Sequence, residues 1–170
     1  MRNEEYNVFD SFNLTMNSDF LPETHAGGGD GDIIARFSNK SVMLEVTLMN
    51  KMAQKRGEWE PVLRHSANLV IDEAPRPVYT LFIADEFDDN TINIWRAVAT
   101  VPLKSSKEVS TEGKTAENVK ILPVTGNELS DILETNKNID HICESMDESF
   151  KPLISNFDLY WREKIMDTLI

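Results

Sequence analysis

Two neighbouring stretches, residues 31–37 and 42–47, alternate apolar with polar or small positions, and that period of two predicts a pair of β-strands. The polar run 38–41 between them reads as a turn. A turn centred between Asn39 and Lys40 sets Asp32 opposite Thr47 and Ile34 opposite Glu45, so Asp32, Glu45 and Thr47 share a face. The other face carries Ile33, Ala35, Phe37, Val42, Leu44, Val46 and Leu48, an apolar surface suited to packing on helices.

Further along, the period lengthens. Residues 58–74 read as a helix with Pro61 in its first turn and Val62, Leu63, Leu69 and Val70 on its apolar side. The uninterrupted apolar run 78–84 reads as a buried strand, parallel to an earlier one because a helix intervenes. A helix is predicted over residues 90–99, a mobile charged excursion over 104–118 and a short strand over 120–124. Thr125 followed by Glu128 makes a capping box, after which Leu129, Ile132, Leu133 and Ile142 supply a helical stripe. Phe150, Phe157, Tyr160, Trp161 and Ile165 continue the theme, and Val8, Phe9 and Phe12 stand at helical spacing near the start. Strands interleaved with helices predict an α/β fold in a single domain spanning residues 1–170.

Composition narrows the class. The 170 residues are 41% hydrophobic, enough for one core without disulfide or metal staples. The single cysteine, Cys143, excludes an internal disulfide and suits a reducing cytoplasm. No apolar run is long enough to span a bilayer, so no membrane partner is expected. With 29 acidic against 17 basic residues, the net charge of −12 opposes strong autonomous binding of a polyanion.

Asp and Glu are depleted from strands, so Asp32 and Glu45 on one strand face point to a site. Two carboxylates converging there suit a hydrated divalent cation, and the main-chain carbonyl of Val46 can complete the protein's share. Such an ion serves phosphodiester hydrolysis by neutralising charge and generating a nucleophile from water. Alone the pattern is weak, because so acidic a chain produces Asp and Glu-x-Thr pairs by chance. Gly27, Gly28 and Gly29 precede the first acid as a loop that lets backbone approach closely, with no phosphate-cradling lysine motif.

Residues 29–34, 44–48, Gln54, Glu58, 63–65 and 79–83 together resemble the cleavage domain of the AlwI-type family of type IIS restriction endonucleases. That resemblance implies the PD-(D/E)XK fold, a central mixed β-sheet flanked by helices, and Mg2+-dependent hydrolysis of DNA. It implies metal-binding roles for Asp32, Glu45 and Val46, and an added ligand or water-positioning role for Glu58. Gln54 and His65 are implied as supporting residues, and Thr47 stands where the wider superfamily keeps a lysine, which leaves the orientation of the attacking water to Gln54, Glu58 or a second metal. Lys51, Lys55, Arg56, Arg64 and His65 lie beside these positions as candidate substrate contacts, with a solvated loop as the plainer reading of the basic group.

The expected substrate is double-stranded DNA, with sequence recognition supplied by another domain or a large subunit, and a transient dimer is compatible with this reading. The alternative from a different class is a non-catalytic assembly subunit that retains the nuclease fold and docks through its C-terminal helices.

Overall fold

The computed structural model describes residues 15–19, 21–24, 31–57, 59–105, 114–135 and 137–150. The expected N-terminal helix around Phe9, the glycine run and the aromatic stripe beyond Phe150 lie outside them. A short antiparallel ribbon, β1 (Thr15–Met16) with β2 (Pro22–Thr24), precedes the main sheet. Asn17 turns it by accepting the Asp19 and Leu21 N–H groups on its side-chain oxygen at 2.9 and 3.0 Å.

The alternation read from the sequence becomes β3 (Ile33–Arg36) and β4 (Ser41–Val46), paired antiparallel. The register runs Ile33 to Leu44 and Arg36 to Ser41, and the Phe37 N–H donates to the Lys40 carbonyl at 2.8 Å. The turn is therefore Ser38-Asn39, and the pairing differs by two residues from the one centred on Asn39 and Lys40. Lys40 belongs to the strand side because its ammonium pairs with Asp140 and lies over the Phe37 ring, 5.2 Å from the centroid. A shift of two keeps every side chain on its expected face, whereas a shift of one would have inverted them all. Continued past Ile33, this register sets Asp32 directly opposite Glu45.

After β4 the chain enters α1 (Lys51–Gly57), a helix where the plainer reading of the basic group is a solvated loop. Asn50 starts it by accepting the Ala53 N–H on its side chain at 3.1 Å. Then follow α2 (Trp59–Glu73), β5 (Val78–Ala84) and α3 (Asp89–Val98), the last capped by Asp88 through the Thr91 N–H. β6 (Leu103–Lys104) and β7 (Thr115–Ala116) pair as a ribbon, so the two ends of the stretch expected to be a mobile charged excursion are held together by strand pairing. The chain continues through β8 (Ile121–Thr125), α4 (Gly126–Glu134) and α5 (Ile139–Ser149). The Thr125–Glu128 capping box is present, and its backbone and side-chain bonds to Thr125 hold the Glu128 carboxyl below the usual carboxylate range.

β5 runs parallel to both β4 and β8, giving a mixed four-stranded sheet in the order β3-β4-β5-β8. On one face Phe82 and Ile121 pack with Val62, Ala67, Ile71 and Trp95 of α2 and α3; the Trp95 ring meets Phe82 edge-on at 5.0 Å. On the other, Val42, Tyr79, Leu81 and Val124 pack with Cys143 and Met146 of α5. The apolar face expected from the first hairpin ends early: Val46 is 49% and Leu48 94% exposed. Ion pairs hold α5 at both ends, Lys40 to Asp140 and Lys120 to Asp147, and Tyr79 adds a 2.9 Å hydrogen bond to Asp147. Burial, aided by Asp147, pushes the Tyr79 hydroxyl pKa up, and burial pushes the Cys143 thiol up to about 11.

Glu73, at the end of α2, gathers the closed end of the hairpin: it accepts from Arg36 at 2.7 Å, Ser41 at 2.9 Å and Arg76 at 3.0 Å. Burial by itself raises the Glu73 carboxyl, but the Arg36 and Ser41 hydrogen bonds and the two guanidinium charges outweigh it, and the pKa is lowered overall. A lowered folded-state pKa contributes stability that is complete above the ordinary carboxylate pKa and is lost as pH falls through the lowered one. Urea titrations at descending pH are therefore expected to show a steeper acid-side loss for the native chain than for Glu73→Gln, and matching slopes would refute this account.

Candidate functional site

The site forms at the open end of the β3–β4 hairpin, where the last residues of β4 and β5 also end. The Asp32 Oδ2 accepts the backbone N–H of Val46 at 3.0 Å, which pins this carboxylate to the residue that follows Glu45. Glu45 is 7% exposed and pairs along the sheet with Phe82, so its carboxylate is held among packed side chains. Its Oε1 lies 2.8 Å from His65 Nδ1. A carboxylate only accepts, so this contact places the ring hydrogen on Nδ1 and leaves Nε2 turned inward.

The rotation of α2 that delivers His65 has a local cause. Ser66 is fully buried, donates to the Val62 carbonyl at 2.7 Å and accepts from the buried Thr80 hydroxyl of β5 at 3.0 Å. This polar link between helix and sheet is satisfied within the core, so it fixes α2 about its own axis at small net cost. His65 then falls on the face turned toward β4.

Gly31 completes the enclosure. A Cβ at this position would overlap the Met43 sulfur and stand 3.2 Å from Glu45 Oε1, with Met43 itself fully buried. The backbone before Asp32 therefore packs directly against the side chains that support Glu45, and only glycine allows that approach.

The remaining sequence-derived residues divide by position. Thr47 is buried; its N–H donates to the Ile83 carbonyl at 2.9 Å and its hydroxyl accepts the Met49 N–H at 3.1 Å, ending the strand. Gln54 is 1% exposed, and its amide donates to the carbonyls of Met49 and Glu86 at 2.7 and 3.0 Å. Two carbonyl partners assign its nitrogen, so Gln54 clamps the loop after β4 to the loop after β5. Its Oε1 is buried without a partner among the described residues.

Lys51 pairs with Glu86 at 3.4 Å and Arg64 with Glu60 at 3.1 Å, both at exposed or half-exposed positions. Such pairs are weak in water and are easily exchanged. Lys55 and Arg56 lie on α1, while Glu58 lies outside the described residues. No group of three or more acidic, His or Cys side chains with metal-holding geometry occurs among the described residues.

The sequence reading missed Gly31, Asn68 and Glu86. Asn68 is 4% exposed and lies three residues after His65 on α2, beside the same enclosure. Periodicity could have flagged it, since an Asn on the inward side of an amphipathic helix demands a polar partner.

A model of the AlwI restriction endonuclease family matches residues 3–132. Among solved structures, the chain is similar to the small subunit of the heterodimeric restriction endonuclease R.BspD6I, at 17% identity and a TM-score of 0.57, covering 84% of this chain and 70% of that one. No curated protein sequence matches it.

Packing at Gly31 is testable directly. Gly31→Ala is expected to destabilise the chain by about 1–3 kcal/mol through overpacking, and Met43→Ala should relieve part of that loss in the double variant. Additive losses in a urea double-mutant cycle would show that the two residues do not meet.

Proposed function

The chain belongs to the AlwI restriction endonuclease family, and on that premise we propose that it is a metal-dependent endodeoxyribonuclease, the cleavage module of a restriction enzyme whose sequence recognition is supplied elsewhere. The observation that carries this reading is the juxtaposition at the open end of the hairpin: the Asp32 carboxylate bonded to Val46 N–H, one residue from the buried Glu45.

The donor set fits Mg2+. Magnesium takes one or two carboxylates and keeps its other positions for water and substrate phosphate. Asp32 and Glu45 each commit one oxygen to the protein, Oδ2 to Val46 and Oε1 to His65, which orients the other oxygen of each. Asp32, Glu45 and the Val46 carbonyl would hold the ion. The chemistry it supplies is charge neutralisation at the phosphate and acidification of a bound water.

The chain's own groups do the positioning. His65 orients Glu45 through Nδ1–H. Gln54 braces the loops that follow β4 and β5, and its remaining oxygen, with Glu58, is proposed to orient the attacking water in place of the lysine that Thr47 replaces. The pairs formed by Lys51 and Arg64 are weak enough to exchange for DNA phosphates, and Lys55 and Arg56 add charge on the same helix as Lys51.

A net charge of −12 keeps the unassisted encounter with DNA weak and salt-sensitive, which supports dependence on a recognition domain or large subunit. The heterodimeric origin of the similar small subunit supports the same reading. No helix among the described residues is long and apolar enough to cross a membrane, in keeping with a cytoplasmic enzyme that meets DNA there. A transient dimer in the cleaving complex is part of the proposal.

Glu45→Gln is expected to keep the fold and lower plasmid nicking by about a hundredfold or more, since an ion's share of such catalysis is several kcal/mol. Native protein that binds no Mg2+ in calorimetry and nicks no plasmid at high concentration would overturn the enzyme reading. A complex that cuts DNA equally well with Glu45→Ala would assign the chain an assembly role instead.

A further inference from the structure

His65 meets Glu45 through Nδ1. Its other ring nitrogen, Nε2, is buried and has no partner among the described residues. Leaving such a group unpaired costs roughly 1–3 kcal/mol, so it calls for a partner. Beside the His65 side chain lies a small cavity of about 10 Å³ lined by Gly31, Ile34, Met43, His65, Asn68, Leu69 and Asp72.

That volume is close to the minimum that seats one water, and the lining is polar on one side only. His65, Asn68 and Asp72 follow one another at i, i+3 and i+7, so they form a single stripe along α2. Gly31, Ile34, Met43 and Leu69 close the rest with backbone and apolar side chains. A dry apolar cavity needs no occupant, but one beside a histidine whose buried Nε2 lacks a partner among the described residues does.

We propose that a single ordered water occupies this cavity, bonded to His65 Nε2 and to Asn68, and that Asn68 is thereby a positioning residue for Glu45. The ring with hydrogen on Nδ1 offers Nε2 as an acceptor, and the water donates to it. Asn68, which lines the same cavity, supplies a second contact to the water through its amide. The chain of contacts then runs Asn68, water, His65, Glu45, and it selects the Nδ1–H tautomer that keeps Glu45 Oε1 engaged. Without the water, Nε2 stays buried and unpaired, which weakens the preference for the Nδ1–H form that the Glu45 contact sets.

The inference rests on the proposed cation site only for its functional consequence. The water and the tautomer stand on the buried geometry alone.

Nitrogen-15 NMR of the imidazole in the native chain tests it, with water-to-ring cross-relaxation as the second reading. The expected result is an Nδ1–H tautomer, an Nε2 shift typical of a hydrogen-bonded acceptor, and a long-lived water adjacent to the ring. Asn68→Leu should abolish the water signal, mix the two tautomers and weaken Mn2+ binding about tenfold by calorimetry. Asn68→Gln should restore part of the tautomer preference.

A native spectrum with no water beside His65, or with the ring hydrogen on Nε2, overturns the proposal without any variant having to fold. An unchanged tautomer in folded Asn68→Leu overturns the role of Asn68. If the native chain binds no Mn2+, the cation reading fails while the tautomer and water readings still decide this inference.

Discussion

The hydrogen bond from Val46 N–H to the Asp32 carboxylate ties together two strand ends that would otherwise splay, and the geometry of the site follows from it. It closes the β3–β4 hairpin at its open end, as the Phe37–Lys40 contact closes it at the turn. Between those two fixed points the register has no freedom to slip. Glu45, one residue before Val46, is then aimed at α2, where Ser66 and Thr80 have already set the helix rotation that brings in His65. Three separate elements are thus coordinated by a few short polar contacts inside an otherwise apolar core.

Much of the fold was legible because its signals are local. The 78–84 run matches β5, the Thr125–Glu128 box matches the start of α4, and the mixed sheet with helices on both faces has the expected class. The hairpin register was misplaced by two because Lys40 looks like a turn residue in sequence, while its partner Asp140 lies a hundred residues away. The helix α1 was missed because its buried anchor Gln54 is polar and its exposed side carries Met52, so no apolar stripe announces it.

The side chains around Asp32 and Glu45 show the same limit. Face parity was enough to bring the two acids to one side, because parity survives an even shift of register. His65 was named as a supporting residue, but its contact with Glu45 was not legible. That contact depends on how α2 is turned, and the packing of Gly31 depends on how closely its backbone lies against Met43. Distances of this kind are set by tertiary packing and leave no periodic trace.

Cys143 has a practical corollary. It is the sole thiol of the chain, it lies on the buried face of α5, and burial keeps it protonated far above neutral pH. Alkylating reagents consume thiolate, so modification in the native state must wait until α5 lifts from the sheet. A mass-spectrometric time course of its labelling would therefore clock the opening of this helix, using a built-in probe that requires no engineered label.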